Sequence, residues 1–246
     1  MTANDSATIN TAMVLAAGLG TRMQPLTDDR PKPLVVMAGQ TLLDRVLGHL
    51  STEGITRIVV NTHYKGEMIA DHLANRADVT LSPEPALLET GGGVRNALPH
   101  LGDDAFFVVN CDAVWLDGPT PALHRMTQAW RDDDMDALLL LQRTVSIQGE
   151  TGRGDYFLDS EGYAARRHES AIAPFLFAGV QILHPRLFDD TPDGPFSLNL
   201  LYDRAEEAGR LHGLVHDGEW YHVGTPEQRE RAEYEITHGN ESVNSR

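Results

Sequence analysis

The first apolar run of the chain, Met13-Val14-Leu15-Ala16-Ala17, stops at Gly18-Leu19-Gly20 and is followed by an arginine, Arg22. A short unbroken apolar run ending in glycines predicts a buried strand that breaks into a loop. The period then becomes helical: Leu43, Val46, Leu47 and Leu50 form one apolar stripe over 42–50. The β-branched segment 55–61 predicts a strand. The alternation continues with a helix over 67–75, a short strand over 79–81, a helix over 94–98, a fully buried strand over 105–110, a helix over 121–130 and a strand over 136–142. Helices alternating with apolar strands imply a mainly parallel sheet covered on both faces.

After residue 150 the pattern changes. Segments 156–158, 163–167 and 175–183 read as strands joined by short turns, and helices are expected over 196–209 and 227–236. No repeat or low-complexity linker interrupts the chain, so a single domain is expected over 12–236, with flexible polar tails at 1–11 and 237–246. Phe157, Phe175 and Phe177 are expected in the core, whereas His212 and His216, on one face of a strand, are expected to be exposed.

Composition narrows the picture. A chain of 246 residues, 41% hydrophobic, can bury one substantial α/β core. The formal charge of −16 opposes a nucleic-acid partner. The single cysteine, Cys111, excludes an intramolecular disulfide and fits a reducing cytoplasm. Segment 1–11 lacks Lys and Arg, and the apolar run after it is too short for a membrane span, so a cytoplasmic protein without signal peptide or membrane contact is expected.

Against this acidic background, basic residues beside the glycine loop stand out. The chain has two lysines, and one of them, Lys32, lies between Pro31 and Pro33, which restrict the backbone on both sides. Gly18 and Gly20 with Arg22 and Lys32 make a candidate phosphate site; taken alone, they would equally make a plain turn with surface charges. Met23 stands where a dinucleotide fingerprint needs a third glycine, and no Gly-Lys-Ser/Thr ends a P-loop.

The wider set of motifs resembles the sugar-1-phosphate nucleotidylyltransferases, the family that makes NDP-sugars. Leu15-Ala-Ala-Gly-Leu-Gly-Thr-Arg-Met23, Pro25-Leu26-Thr27 and Pro31-Lys32-Pro33-Leu34 carry the resemblance in register. Glu89-Thr90-Gly91-Gly92-Gly93, Asn110-Cys111-Asp112, Arg153-Gly154-Asp155-Tyr156, Phe177-Ala178-Gly179-Val180, Leu183-His184-Pro185 and Trp220-Tyr221-His222-Val223-Gly224-Thr225 extend it. Within the family the chain is most similar to the short uridylyltransferases of N-acetylmuramate-1-phosphate that serve cell-wall recycling.

The resemblance implies a Rossmann-like, GT-A-like α/β/α fold with a mixed, mainly parallel sheet. Residues 12–145 would form a nucleotide-binding half and 146–236 a sugar-binding half. It implies an NTP, with UTP favoured, and a sugar-1-phosphate as partners of a monomer or homodimer. Leu15, Ala16, Ala17, Gly18, Gly20 and Thr21 would cradle the triphosphate, Arg22 and Lys32 would neutralise phosphates, and Asp112 would hold Mg²⁺, with Mn²⁺ as an alternative. A loop containing Glu89, Thr90, Gly91 and Gly92 would lie against the base, and Asn110, Arg153, Asp155, Gly179 and Asn199 would meet the sugar.

The chain departs from the family twice. His222 stands where relatives carry an aspartate, which leaves three readings: one Mg²⁺ on Asp112 alone, a His-assisted metal of different preference, or an imidazole bonded to phosphate. The Glu-Lys-Pro motif of larger relatives is absent, and Arg153, Arg166 or Arg167 could replace its lysine. A guanylyltransferase of mannose- or heptose-1-phosphate and an inactive nucleotide-sugar sensor are the alternatives.

Overall fold

The computed structural model describes residues 9–147 and 152–239. In chain order the elements are β1 (Thr11–Leu15), β2 (Val36–Met37), β3 (Gln40–Thr41), α1 (Leu42–Thr52), β4 (Arg57–Thr62), α2 (Gly66–Leu73), β5 (Val79–Pro83), α3 (Glu89–Leu101), β6 (Phe106–Asn110) and β7 (Ala113–Leu116). They continue with α4 (Ala122–Ala129), β8 (Ala137–Arg143), β9 (Tyr156–Leu158), β10 (Ala164–Arg166), β11 (Phe175–Leu183), α5 (Asn199–Glu207), β12 (Leu211–Val215), β13 (Glu219–His222) and α6 (Pro226–His238). Two helices, α1 and α6, start where the sequence supplies a side-chain cap. The Thr41 hydroxyl accepts the Asp44 N–H at the start of α1, and Thr225 accepts from Gln228 at α6, where Pro226 fills a position that needs no donor.

One sheet runs β10-β9-β11-β6-β1-β4-β5, with β8 also paired to β11 and β12 paired to β8. β1 lies at its centre, parallel to β4 and β6, and β4 is parallel to β5. Their carboxyl ends therefore open on one edge, where α/β proteins place ligands. β11 runs antiparallel to both β6 and β8 and joins the two halves of the chain into this single sheet. Its register against β8 shifts between Phe177 and Gln181, around Gly179 at φ 80°. A Cβ at Gly179 would lie 3.1 Å from that of Ala113 and 3.3 Å from that of Asn110. The irregularity thus brings the β11 backbone against the carboxyl end of β6.

The apolar strand faces bury into two cores. One packs Val14, Val60, Phe107 and Ile182 under α1, α2 and α4; the other packs Met13, Val59, Phe106 and Leu139 under α3 and α5. A third, smaller cluster of Met23, Met37, Tyr221 and Val223 ties the loop after β1 to β13.

Four expectations change. The glycine run 91–93, read as loop, lies in the first turns of α3. Gly lowers helix stability by about 1 kcal/mol relative to Ala, but here packing decides: a Cβ at Gly91 would lie 2.4 Å from the Phe196 ring, and one at Gly92 2.6 Å from the Gly194 carbonyl oxygen. Ile9 is buried and Thr11 begins the central strand, so residues 9–11 belong to the fold; Thr237 and His238 complete α6, while 1–8 and 240–246 lie outside the described residues. His212 and His216 are buried, at 2% and 3% exposure, His212 against the Tyr163 ring and His216 just past β12 with its Nε2 on the Glu219 carbonyl, and Phe157 is 39% exposed on the sheet margin formed by the short strands β9 and β10. The ribbon of β7 and β13, paired Ala113 with His222, was not legible in the pattern.

Candidate active site

Residues 16–20 leave β1 at the carboxyl edge of the sheet. Gly20 adopts φ 66°, which glycine tolerates, and its backbone lies so close to Lys32 that a Cβ would come within 3.1 Å of the lysine Cβ. Thr27 donates to the Gly20 carbonyl at 2.9 Å. The Ala16 N–H donates to Asn61 Oδ1 at 2.6 Å, and Asn61 Nδ2 donates to Glu84 Oε1 at 2.6 Å. Glu84 in turn accepts the Leu88 N–H at 3.0 Å. This buried chain of bonds locks the loop to β4, β5 and the approach to α3. It also corrects the expected cradle: the Ala16 N–H is already used, and Leu15 is a strand residue whose carbonyl accepts from Cys111. The N–H groups of Ala17, Gly18, Leu19 and Gly20 donate to nothing among the described residues and remain available to an anion.

Lys32 sits in a single 3₁₀ turn between its prolines, 9% exposed, and its Nζ donates to Asp112 Oδ2 at 2.5 Å. The other Asp112 oxygen has no partner among the described residues. Lys32 and Asp112 lie in the wall of a cavity of about 500 Å³ lined by the loop 15–22, Asn61, Glu84, Glu89 and Thr90. A second cavity of about 440 Å³, lined by Asp155, Gly179, Trp220 and His222, shares Arg22, Asn110 and Asp112 with the first. These three residues mark the meeting point of two chambers. Cys111 is no nucleophile there, because burial, with the Asp112 charge beside it, pushes its thiol well above the ordinary range.

His222 enters the second chamber because β13 pairs with β7, which places it opposite Ala113 and next to Asp112. The Trp220 indole anchors this ribbon by donating to the Ala178 carbonyl at 3.0 Å. Desolvation is the largest cause of a lowered His222 pKa; Asp112 opposes it, whereas Arg22 and Lys32 add to it. The imidazole is therefore neutral around pH 7. No three His, Cys, Asp or Glu groups converge among the described residues. One carboxylate with a free oxygen at the chamber junction fits a hard cation that completes its shell with phosphate and water oxygens, and does not fit a structural zinc site.

The other expected residues divide. Glu89, in the left-handed region at φ 59°, and Thr90 line the first cavity. Gly91 and Gly92 do not: their N–H groups donate to the Phe196 carbonyl at 2.8 and 3.1 Å, so these main-chain donors are not available to a base. Thr90 is also held, its hydroxyl accepting the Leu198 N–H at 3.0 Å. Asp155 and Gly179 line the second cavity, and Asp155 accepts the Phe177 N–H at 3.0 Å. Arg153 lines neither chamber; it is exposed and donates to the Glu169 carbonyl. Asn199 lines a smaller cavity with Arg166 and Arg167. Arg166 makes two bonds to Asp203, at 2.6 and 2.7 Å, so its charge is neutralised. Asn61 and Glu84 belong to no recognisable motif; the one signal was polarity where the apolar strand 57–62 ends.

The sequence profile of the MobA-like NTP transferase domain matches residues 12–185. The N-acetylmuramate alpha-1-phosphate uridylyltransferase of Caulobacter vibrioides is 41% identical over 229 residues, covering 90% of this chain and 95% of that protein. Its namesake in Neisseria meningitidis serogroup B is 36% identical over 220 residues, covering 87% and 93%. The crystal structure of HddC from Yersinia pseudotuberculosis complexed with GMP-PN superposes with a TM-score of 0.74 at 23% identity, covering 93% of this chain and all of that one, a likeness of fold. With its motifs on the carboxyl edge of the expected sheet, the chain belongs to the MobA-like NTP transferase family, among the sugar-1-phosphate nucleotidyltransferases.

Proposed function

We propose that the protein transfers the uridylyl group of UTP to N-acetylmuramate-1-phosphate, giving UDP-N-acetylmuramate and pyrophosphate. The observation that carries this reading is the junction of Arg22, Asn110 and Asp112, with Lys32 bonded to Asp112, between a chamber walled by the glycine loop and a second, polar chamber. The Caulobacter and Neisseria relatives support the choice of base and sugar. Segment 12–145 supplies most of the nucleotide side and segment 146–236 most of the sugar side.

In the reaction a phosphate oxygen of the sugar-1-phosphate forms a bond to the α-phosphorus of UTP, and the bond from that phosphorus to the β-phosphate oxygen breaks. The attacking oxygen is already anionic, so no general base is required. The task is to hold two polyanions together on a chain of charge −16. Free N–H groups of Ala17 to Gly20 receive phosphate oxygens, Arg22 meets the departing pyrophosphate, and Lys32 stabilises charge on the transferred phosphoryl group. Asp112, with His222 beside it, would hold a divalent cation, Mg²⁺ in the first instance, which supplies further neutralisation of the triphosphate. Asn110, Asp155 and Gly179 face the sugar. No described helix is long and apolar enough to cross a membrane, and the reading needs no membrane partner.

The test is pyrophosphate release with UTP, GTP, CTP, ATP and dTTP against a panel of sugar-1-phosphates in Mg²⁺ and in Mn²⁺. Turnover confined to UTP and N-acetylmuramate-1-phosphate is expected. Preference for GTP with mannose- or heptose-1-phosphate would move the protein to the guanylyltransferases, and silence of folded protein with every pair would make it a sensor.

A further inference from the structure

Beside the sugar chamber lies a third cavity of about 230 Å³ that shares Asp155 and Phe177 with it as a common wall. We infer that this cavity receives a carboxylate carried by the sugar, and that Arg167 selects for that carboxylate. The inference rests on the reading above, because N-acetylmuramate is a hexosamine bearing a lactyl ether with a free carboxylate, which N-acetylglucosamine lacks.

Three residues in the wall of the cavity keep a polar group without a partner among the described residues: Nη2 of Arg167, the hydroxyl of Tyr156 and the amide of Asn199. Arg167 is fixed by its own carbonyl contacts: Nε donates to Gly154 at 2.8 Å, and Nη1 donates to His168 and Glu169, each at 3.1 Å. No acidic side chain pairs with it among the described residues, and its Nη2 makes no bond there. It is an arginine whose charge is uncompensated in a strongly acidic chain, unlike its neighbour Arg166, which Asp203 neutralises. Tyr156 is 3% exposed, yet its hydroxyl has no partner among the described residues. Burial raises the tyrosine pKa and keeps that hydroxyl a neutral donor. The side-chain amide of Asn199, exposed at the start of α5, also has no partner among the described residues.

An arginine donor with no acidic partner and a tyrosine hydroxyl with none, in the wall of one cavity, make a place where a ligand acceptor fits. The one opposing charge is Asp155, at the boundary with the sugar chamber, where its carboxylate is turned to the Phe177 N–H. It suits a sugar hydroxyl, whereas the donors beyond it suit an anion. Because carbonyls already hold the guanidinium, little side-chain freedom is lost when it binds. A charge-assisted hydrogen bond contributes about 1.5–3 kcal/mol, which corresponds to a selectivity of about tenfold or more.

The test compares N-acetylmuramate-1-phosphate with N-acetylglucosamine-1-phosphate, in UTP turnover and in calorimetric binding, for wild type, Arg167→Gln, Tyr156→Phe and Asn199→Ala. Arg167→Gln should reduce the muramate-to-glucosamine ratio of kcat/KM about tenfold, through KM, and reduce the binding ratio likewise. Since Arg167 also braces backbone, a second comparison leaves the protein intact: wild type should discriminate about tenfold against the lactamide form of the substrate, in which the carboxylate is a neutral amide. An unchanged ratio in Arg167→Gln together with equal use of acid and amide overturns the inference. If UTP turnover with muramate is absent but binding still depends on the carboxylate and on Arg167, the cavity stands and the proposed reaction falls.

Discussion

Lys32 is restrained from three directions: prolines on either side, the Gly20 backbone against its Cβ, and Asp112 at its ammonium. Both members of the ion pair stood in legible motifs, but 80 residues separate them, and no local pattern reports a contact at that range. Lys32→Ala should lower kcat for pyrophosphate release about 10²–10³-fold, the usual cost of removing one preorganised charge-stabilising donor, with the circular dichroism spectrum unchanged. Lys32→Arg should not restore it, because a longer, planar guanidinium does not reproduce the point contact of the ammonium with Asp112. His222 faces the same junction, neutral and adjacent to Asp112. His222→Asp should keep activity or raise it in Mg²⁺, since a carboxylate there adds a hard oxygen ligand; abolished turnover in folded protein would exclude that view.

At the level of elements, the two glycine-rich segments look alike in sequence and differ in what they are for. A Cβ at Gly18 would meet nothing within 4 Å, whereas one at Gly91 would collide with the Phe196 ring and lie 2.9 Å from the carbonyl oxygen that Gly91 itself bonds. Gly91→Ala should therefore destabilise the fold by about 1–3 kcal/mol, as overpacked sites do, and lower the urea midpoint. Gly18→Ala should leave that midpoint unchanged and instead raise KM for the NTP, because the added methyl narrows the approach to free N–H groups. The helix over 42–52 was legible because its stripe is local, whereas α3 was read short because its glycines answer to Phe196, more than 100 residues away. The ribbon of β7 and β13 escaped for the same reason.

The molecule as a whole carries several histidines whose pKa values burial depresses: His184, His212, His216 and His222. Both ring nitrogens of His212 are buried without a hydrogen-bond partner among the described residues, stacked at a tilt 4.6 Å from Tyr163. For a group that stays neutral in the fold but protonates at about 6.5 when unfolded, the unfolded chain binds more protons as pH falls through that window. Stability is then greatest above about pH 6.5 and is lost as pH drops toward the depressed folded values. The thermal midpoint should fall between pH 7 and pH 5, and His212→Leu should make that fall shallower; an unaltered slope in the variant would show that His212 is not one of the groups responsible.

Alternating apolar runs and a capped amphipathic α1 are properties of short stretches, and by them the sequence by itself determined the layered α/β fold, while the nucleotidyltransferase chemistry was legible through the resemblance carried by Gly18, Arg22, Lys32, Asp112 and the motifs around them. Those signals are carried by side-chain periodicity and backbone restriction within a few residues. Tertiary structure alone decided that the Ala16, Gly91 and Gly92 donors are used internally, that Arg153 stands away from both chambers, and that Arg167 lines a cavity with Asp155 and Phe177 and has no acidic partner among the described residues. Each of these depends on which distant segments the sheet order brings together, and a hydrogen-bonding group acquires its role from the partners it meets there.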